Sequence, residues 1–201
     1  MRRSLLTFPL LLTLGCQTMT GSDGVLRLAP PTADLPQQLE SLARRADAAT
    51  ERGEQLRLAA EGMAMGDTCV EHYPRDASCY YYRAMATGLY YKVKVIGYQT
   101  GVKQMIADAR KAIMLAPDID HAGPFRMLGE LFTQLPKTTI HPEDATRDLD
   151  LARHYLSEAV TRSPEHPENQ EALCAALIAG GEESACKMGL PVDRKRHGER
   201  K

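Results

Sequence analysis

The chain has 201 residues, with 25 Lys and Arg against 26 Asp and Glu for a net charge of −1, and no tryptophan. So even a balance excludes the basic field that nucleic-acid binding requires. The length suits one domain with a sizeable core, and a content rich in Ala, Leu, Met, Glu and Arg favours helices.

The N-terminus, MRRSLLTFPLLLTLGC, has a short positive region at Arg2 and Arg3, an apolar stretch from Leu5 to Leu14, and a small residue before Cys16. It reads as an export signal, residues 1–15, cleaved before an acylated Cys16. About ten apolar residues are too few to span a hydrocarbon core that needs roughly twenty. The competing reading is an ordinary secretory signal with an incidental cysteine. Cleavage leaves 23 basic and 26 acidic residues. Gln17, in place of the aspartate of an inner-membrane retention signal, points to the periplasmic face of the outer membrane.

Residues 16–34 mix Gly, Ser, Thr and Pro without period and read as a tether. Helical periodicity then holds over 35–190. Leu39, Leu42, Ala46 and Ala49, then Leu56, Ala59, Ala60 and Met63, predict two amphipathic helices broken near Arg52-Gly53, the second ending at Tyr73-Pro74. A helix from about Ala77 carries Tyr81, Ala84, Met85, Gly88 and Tyr91, and one from about Thr100 runs to Ala116-Pro117. Gly123-Pro124 opens the next, closed by Pro136. Pro142-Glu143-Asp144 is expected to open a helix bearing Leu149, Ala152, Leu156 and Ala159, which stops before Pro164. A last pair covers about 168–179 and 182–188, and the basic tail 191–201 has no apolar residue after Val192.

Four cysteines follow Cys16. In an oxidising compartment they read as disulfides, and the local pairs Cys69 with Cys79 and Cys174 with Cys186 close the shortest loops. Four buried thiols are the alternative. Six scattered histidines without a ligand spacing argue against a metal, and the absence of nucleophile-elbow, Walker and dinucleotide motifs argues against an enzyme and against a cofactor.

Six of the eight tyrosines lie between Tyr80 and Tyr98. Tyrosine joins a large apolar face to a polar tip and suits a groove for a peptide or an apolar ligand. Because consecutive helical residues point about 100° apart, Tyr80, Tyr81 and Tyr82 cannot all face one core. Tyr82, Tyr91, Tyr98, Phe125 and Arg126 are the candidate ligand or partner residues; core packing of the rings, and a solvated Arg126, are the plain alternatives.

Three helix ends align: Cys69 to Pro74, Ala112 to Pro117 and Ala159 to Pro164 each place a small residue five positions before a proline. Ala152, Leu156, Ala159 and Pro164 fit the second half of the tetratricopeptide signature, and Leu128-Gly129-Glu130-Leu131-Phe132 the first half. Spacings of 43 and 47 residues between the prolines exceed the standard repeat. The run from Tyr80 to Pro164 resembles the T component of tripartite ATP-independent periplasmic (TRAP) transporters, a family of tetratricopeptide lipoproteins. The resemblance rests on the tyrosine-rich helix to Gly88, the Leu115 to Pro117 turn, Gly123-Pro124 with Leu128-Gly129, Leu135-Pro136 and the inserted loop after it. It implies an all-α solenoid of antiparallel helix pairs that docks a periplasmic solute-binding protein and helps pass a hydrophobic ligand, as a homotrimer. A scaffold lipoprotein that positions an envelope complex without touching a ligand is the rival. An apolar through-cavity bordered by Tyr82, Tyr91 or Phe125 would favour the first, a solid core with a concave peptide groove the second.

Overall fold

A computed structural model describes residues 34–189, which belong to one compact unit, Pro31–Lys201. The signal, Cys16, most of the tether and the basic tail lie outside the described residues. Within them the chain is all-helical: α1 Leu35–Ala48, α2 Arg52–His72, α3 Ala77–Val93, α4 Tyr98–Leu115, α5 Ile119–Gln134, α6 Leu149–Arg162, α7 Pro167–Ala179 and α8 Glu183–Gly189. Neighbours in sequence pack as adjacent pairs. None of these helices is long and apolar enough to cross a membrane.

The aligned prolines mark one local geometry used three times. Tyr73, Ala116 and Ser163 each donate a backbone N–H to the residue four before, Cys69, Ala112 and Ala159. Each carbonyl of Tyr73, Ala116 and Ser163 then accepts from the residue three ahead, Asp76, Ile119 and His166. Proline in the second position of such a turn has φ preset and no N–H to satisfy. The small residues are wholly buried, so α2, α4 and α6 end alike, with a backbone seated against the next helix.

Connections pin the two ends of the helical layer. At one end Arg52 donates to the Val93 carbonyl, Gln99 to the Ala145 carbonyl, and Lys103 pairs with Asp144. The other end joins Arg162 to Asp118 and Asn169 to the His121 carbonyl. Between them lie apolar clusters centred on Leu39, Cys69 and Tyr81, on Leu42 and Leu58, and on Leu128, Phe132 and Leu156. All are drawn from residues 35–176, so the unit carries its own core. A buried ion pair, Arg83 to Asp108 at 2.6 and 2.8 Å, fastens α3 to α4. Cys69 and Cys79 form a disulfide between α2 and α3, Cα atoms 5.4 Å apart, and Cys174 and Cys186 join α7 to α8 at 4.9 Å.

One helix start differs from the sequence expectation. Residues 135–148 form a loop, and α6 begins at Leu149 instead of near Pro142. The Arg147 N–H bonds to the Pro136 carbonyl and the Asp148 N–H to the Phe132 carbonyl, folding the segment back on α5. Asp148 then caps the helix through the Leu151 N–H, a stronger start than Pro142 provides.

Before Gly123-Pro124, Asp120, His121 and Ala122 take φ values of 50°, 55° and 62°. None is glycine, and left-handed backbone costs about 1–2 kcal/mol per L-residue. The right-handed part of α5 thus opens at Gly123-Pro124, as its sequence suggests.

Candidate functional site

A cavity of about 570 Å³ runs between α3, α4 and α5, with residues of α1 and α7 at its margins. Its apolar surface is supplied chiefly by Met85, Met105, Met127, Leu131 and the faces of Tyr91 and Tyr98. Thioethers adapt to irregular apolar shapes, and tyrosine rings add rigid area. From Tyr81 to Lys92 the lining follows α3 for about 16 Å at 1.5 Å per residue. A hollow of about 620 Å³ beside the α2–α3 turn, lined by His72 to Ser78 with Leu115, Ala116 and Ile119, is a shallow recess dominated by turn residues.

Close packing of small residues sets the cavity wall. A Cβ on Gly101 would lie 2.1 Å from the Tyr91 ring, so glycine lets α4 approach close enough for that ring to turn inward. Gly123 plays the equivalent part for Tyr81, whose hydroxyl would be 2.3 Å from an added Cβ.

The polar end of the cavity is organised by the left-handed turn. Asp120 accepts a 2.6 Å bond from the Tyr81 hydroxyl and a 2.9 Å bond from Arg44, with Arg126 at 3.7 Å. Burial alone would raise the Asp120 carboxyl, but the bonds from Arg44 and Tyr81 and the charges of Arg44 and Arg126 outweigh it and hold it below the usual carboxylate range. Burial and the neighbouring Asp120 push the Tyr81 phenol well above its ordinary value, so it stays a neutral donor. Arg126 donates to Asn169 at 2.8 Å, and Asn169 in turn donates to the His121 and Ala159 carbonyls. The network ties the strained turn to α1, α3, α6 and α7.

Glu130 sits on the cavity wall. It keeps accessible surface, yet that surface faces the cavity and is ringed by protein atoms. Enclosure raises its carboxyl, an effect that Arg126 and Lys92 oppose and Glu168 and Asp47 reinforce.

Of the residues singled out from sequence, Tyr91, Tyr98 and Arg126 line this cavity. Tyr82 does not: it is 3% exposed, and its hydroxyl accepts from Arg44 at 2.9 Å. Phe125 is also in the core, 6.4 Å from the Tyr155 ring, with the Arg162 guanidinium 4.9 Å from its own ring centre. Arg126 is not solvated: its side chain is 13% exposed and faces Asp120 at 3.7 Å and the more exposed Glu168 at 3.6 Å. Sequence reasoning missed the three methionines, Glu130 and Lys92, although Met85, Leu89 and Lys92 follow helical spacing from Tyr81. Among the described residues no group of three His, Cys, Asp or Glu side chains is placed to hold a metal ion.

The cavity has the size of a small-ligand site, and its lining joins the apolar methionine and tyrosine surface to five charged residues, Asp47, Lys92, Arg126, Glu130 and Glu168. No protein-family model and no curated protein sequence matches this chain. What stands is the class: an all-helical protein with a methionine- and tyrosine-lined cavity.

Proposed function

We propose that the protein is a lipid-anchored, non-catalytic periplasmic binding module, a tetratricopeptide-like solenoid serving as the accessory component of a TRAP-type transporter. It docks the solute-binding protein and passes a hydrophobic ligand. The observation that carries this reading is the 570 Å³ cavity faced by Tyr91, Tyr98 and three methionines. A scaffold lipoprotein needs no such hollow. The thrice-repeated proline turn and the buried small residues at helix crossings support the tetratricopeptide reading, and the export signal ending at Cys16 supports the anchor. As a member of that class, the chain is expected to form a homotrimer.

The test is capture from periplasmic extract by the unit 31–201, together with binding of the neutral fluorophore N-phenylnaphthylamine. Recovery of a TRAP-type solute-binding protein, and dye uptake that is lost in Leu131→Trp, is the expected result. Recovery of pilus or outer-membrane assembly components, with no dye uptake, would replace the proposal with the scaffold role. For the anchor, Cys16→Ala should leave the protein soluble or uncleaved; membrane partition and processing like the parent's would end that part of it.

A further inference from the structure

Among the described residues, five large apolar side chains stand in solvent: Val95 at 66%, Ile96 at 87%, Met114 at 77%, Ile140 at 95% and Ile178 at 52% exposure. All but Met114 lie at one end of the helical layer. Val95 and Ile96 form the α3–α4 turn, Ile140 the α5–α6 loop, and Ile178 the last turn of α7. That these elements share an end follows from the bonds already described, Gln99 to Ala145 and Lys103 to Asp144, and from the ion pair of Arg153 at the start of α6 with Glu182 just beyond α7. Met114 is at the opposite end, beside the α4–α5 turn.

The surroundings of these tips say what they meet. In the run Tyr90-Tyr91-Lys92-Val93-Lys94-Val95-Ile96-Gly97-Tyr98, an aliphatic point is bracketed by tyrosines and exposed lysines, and Lys137 stands near Ile140 in the second loop. Lys94 is held over the Tyr90 ring, Nζ 3.0 Å from its hydroxyl. Of the acids at this end, Asp144 is paired with Lys103, Asp150 and Glu182 are both paired with Arg153, and Asp148 caps α6, so the lysines beside Val95 and Ile96 are not the ones these acids engage. Protein interfaces have a contiguous apolar centre depleted in lysine. Here the apolar points are separate, and the two loop points, Val95-Ile96 and Ile140, are flanked by lysine while Ile178 is followed by Glu182 and Glu183. The lysine-flanked loop tips have the pattern of a surface entering the head-group region with tyrosine at the boundary and cations on anionic lipid.

We propose that this end of the protein seats on an anionic lipid bilayer, with Val95 and Ile96 inserted below the head groups. The cavity lining reaches the same end at Tyr98 and Pro136, so seating puts the cavity beside the acyl boundary. The contact is distinct from the acyl anchor and independent of the transporter reading, since a scaffold lipoprotein could use it equally.

The chain has no tryptophan, so single tryptophans report position without background. The unit 31–201 carrying Ile96→Trp is mixed with vesicles of phosphatidylcholine and phosphatidylglycerol brominated on the acyl chains; Met114→Trp is the control. Blue-shifted emission and strong quenching are expected for the first and neither for the second. Val95→Ser with Ile96→Ser should lower vesicle partition by roughly tenfold. Lys92→Gln with Lys94→Gln should lower it on the order of tenfold on the mixed vesicles and little on pure phosphatidylcholine. The full chain reconstituted into the same brominated vesicles repeats the test at high local concentration. No quenching of the Ile96→Trp reporter there, or equal quenching of both reporters, overturns the proposal. So does a protein partner captured through Val95 and Ile96 without any vesicle binding.

Discussion

Asp120 has a backbone that L-residues avoid and a side chain that three helices use, and substitution can separate the two. Its side chain is 14% exposed. The Tyr81 bond is partly buried and charge-assisted, about 1.5–3 kcal/mol by the usual scale, whereas Arg44 is 48% exposed and its contribution is discounted to about 0.5–1 kcal/mol. Asp120→Asn keeps a residue that tolerates the left-handed region but removes the charge, for an expected loss of about 1–2 kcal/mol. Asp120→Ala loses the side-chain bonds and adds strain at φ 50°, for about 3 kcal/mol. Asp120→Gly loses the same bonds but relaxes the backbone, so it should fall about 1 kcal/mol short of the Ala cost. The order of stability is therefore parent, Asn, Gly, Ala, read from helical ellipticity in urea with the slope checked for constancy. The folded-state carboxyl is depressed, so its stabilisation is present above the ordinary carboxylate range and lost as pH falls through the folded value. The gap between parent and Asp120→Asn should narrow on acidification. An Ala variant as stable as the Gly variant, or within about 0.5 kcal/mol of the parent, would refute the claim that this network holds a strained turn.

Two further outcomes are expected. Gly129→Ala would bring a Cβ to 2.3 Å from Leu156 Cγ, and Leu156 is fully buried, so overpacking of about 1–3 kcal/mol should exceed the helix-propensity gain of about 1; a denaturation midpoint at or above the parent's would contradict it. Glu130 has a raised carboxyl, so its ionisation costs stability as pH rises through its unfolded and then its folded value. Glu130→Gln should raise the denaturation midpoint at neutral pH and not below the ordinary carboxylate range, which parallel pH series would check.

Much of the architecture was legible along the chain. Proline at 74, 117 and 164 stops a helix because it lacks an N–H and biases the residue before it, and those constraints act within a few residues. The local cysteine pairs were likewise close enough in sequence to be near in space. The loop before α6 was not legible, because Pro142-Glu143-Asp144 is a sound helix start taken alone and loses only to the bonds that draw Arg147 and Asp148 back to α5.

The sequence by itself determined the all-helical class, most helix ends and the tyrosine-rich helix, since periodicity, proline and side-chain propensity are local properties. Only the tertiary structure decided which rings face the cavity. Tyr81 and Tyr82 are neighbours and both buried, yet one hydroxyl meets Asp120 and the other Arg44. The left-handed turn at Asp120–Ala122 was invisible in advance for the same reason. Local energetics oppose that backbone, and the side chains that hold it come from α1, α3 and α7, distant in sequence and brought together by packing.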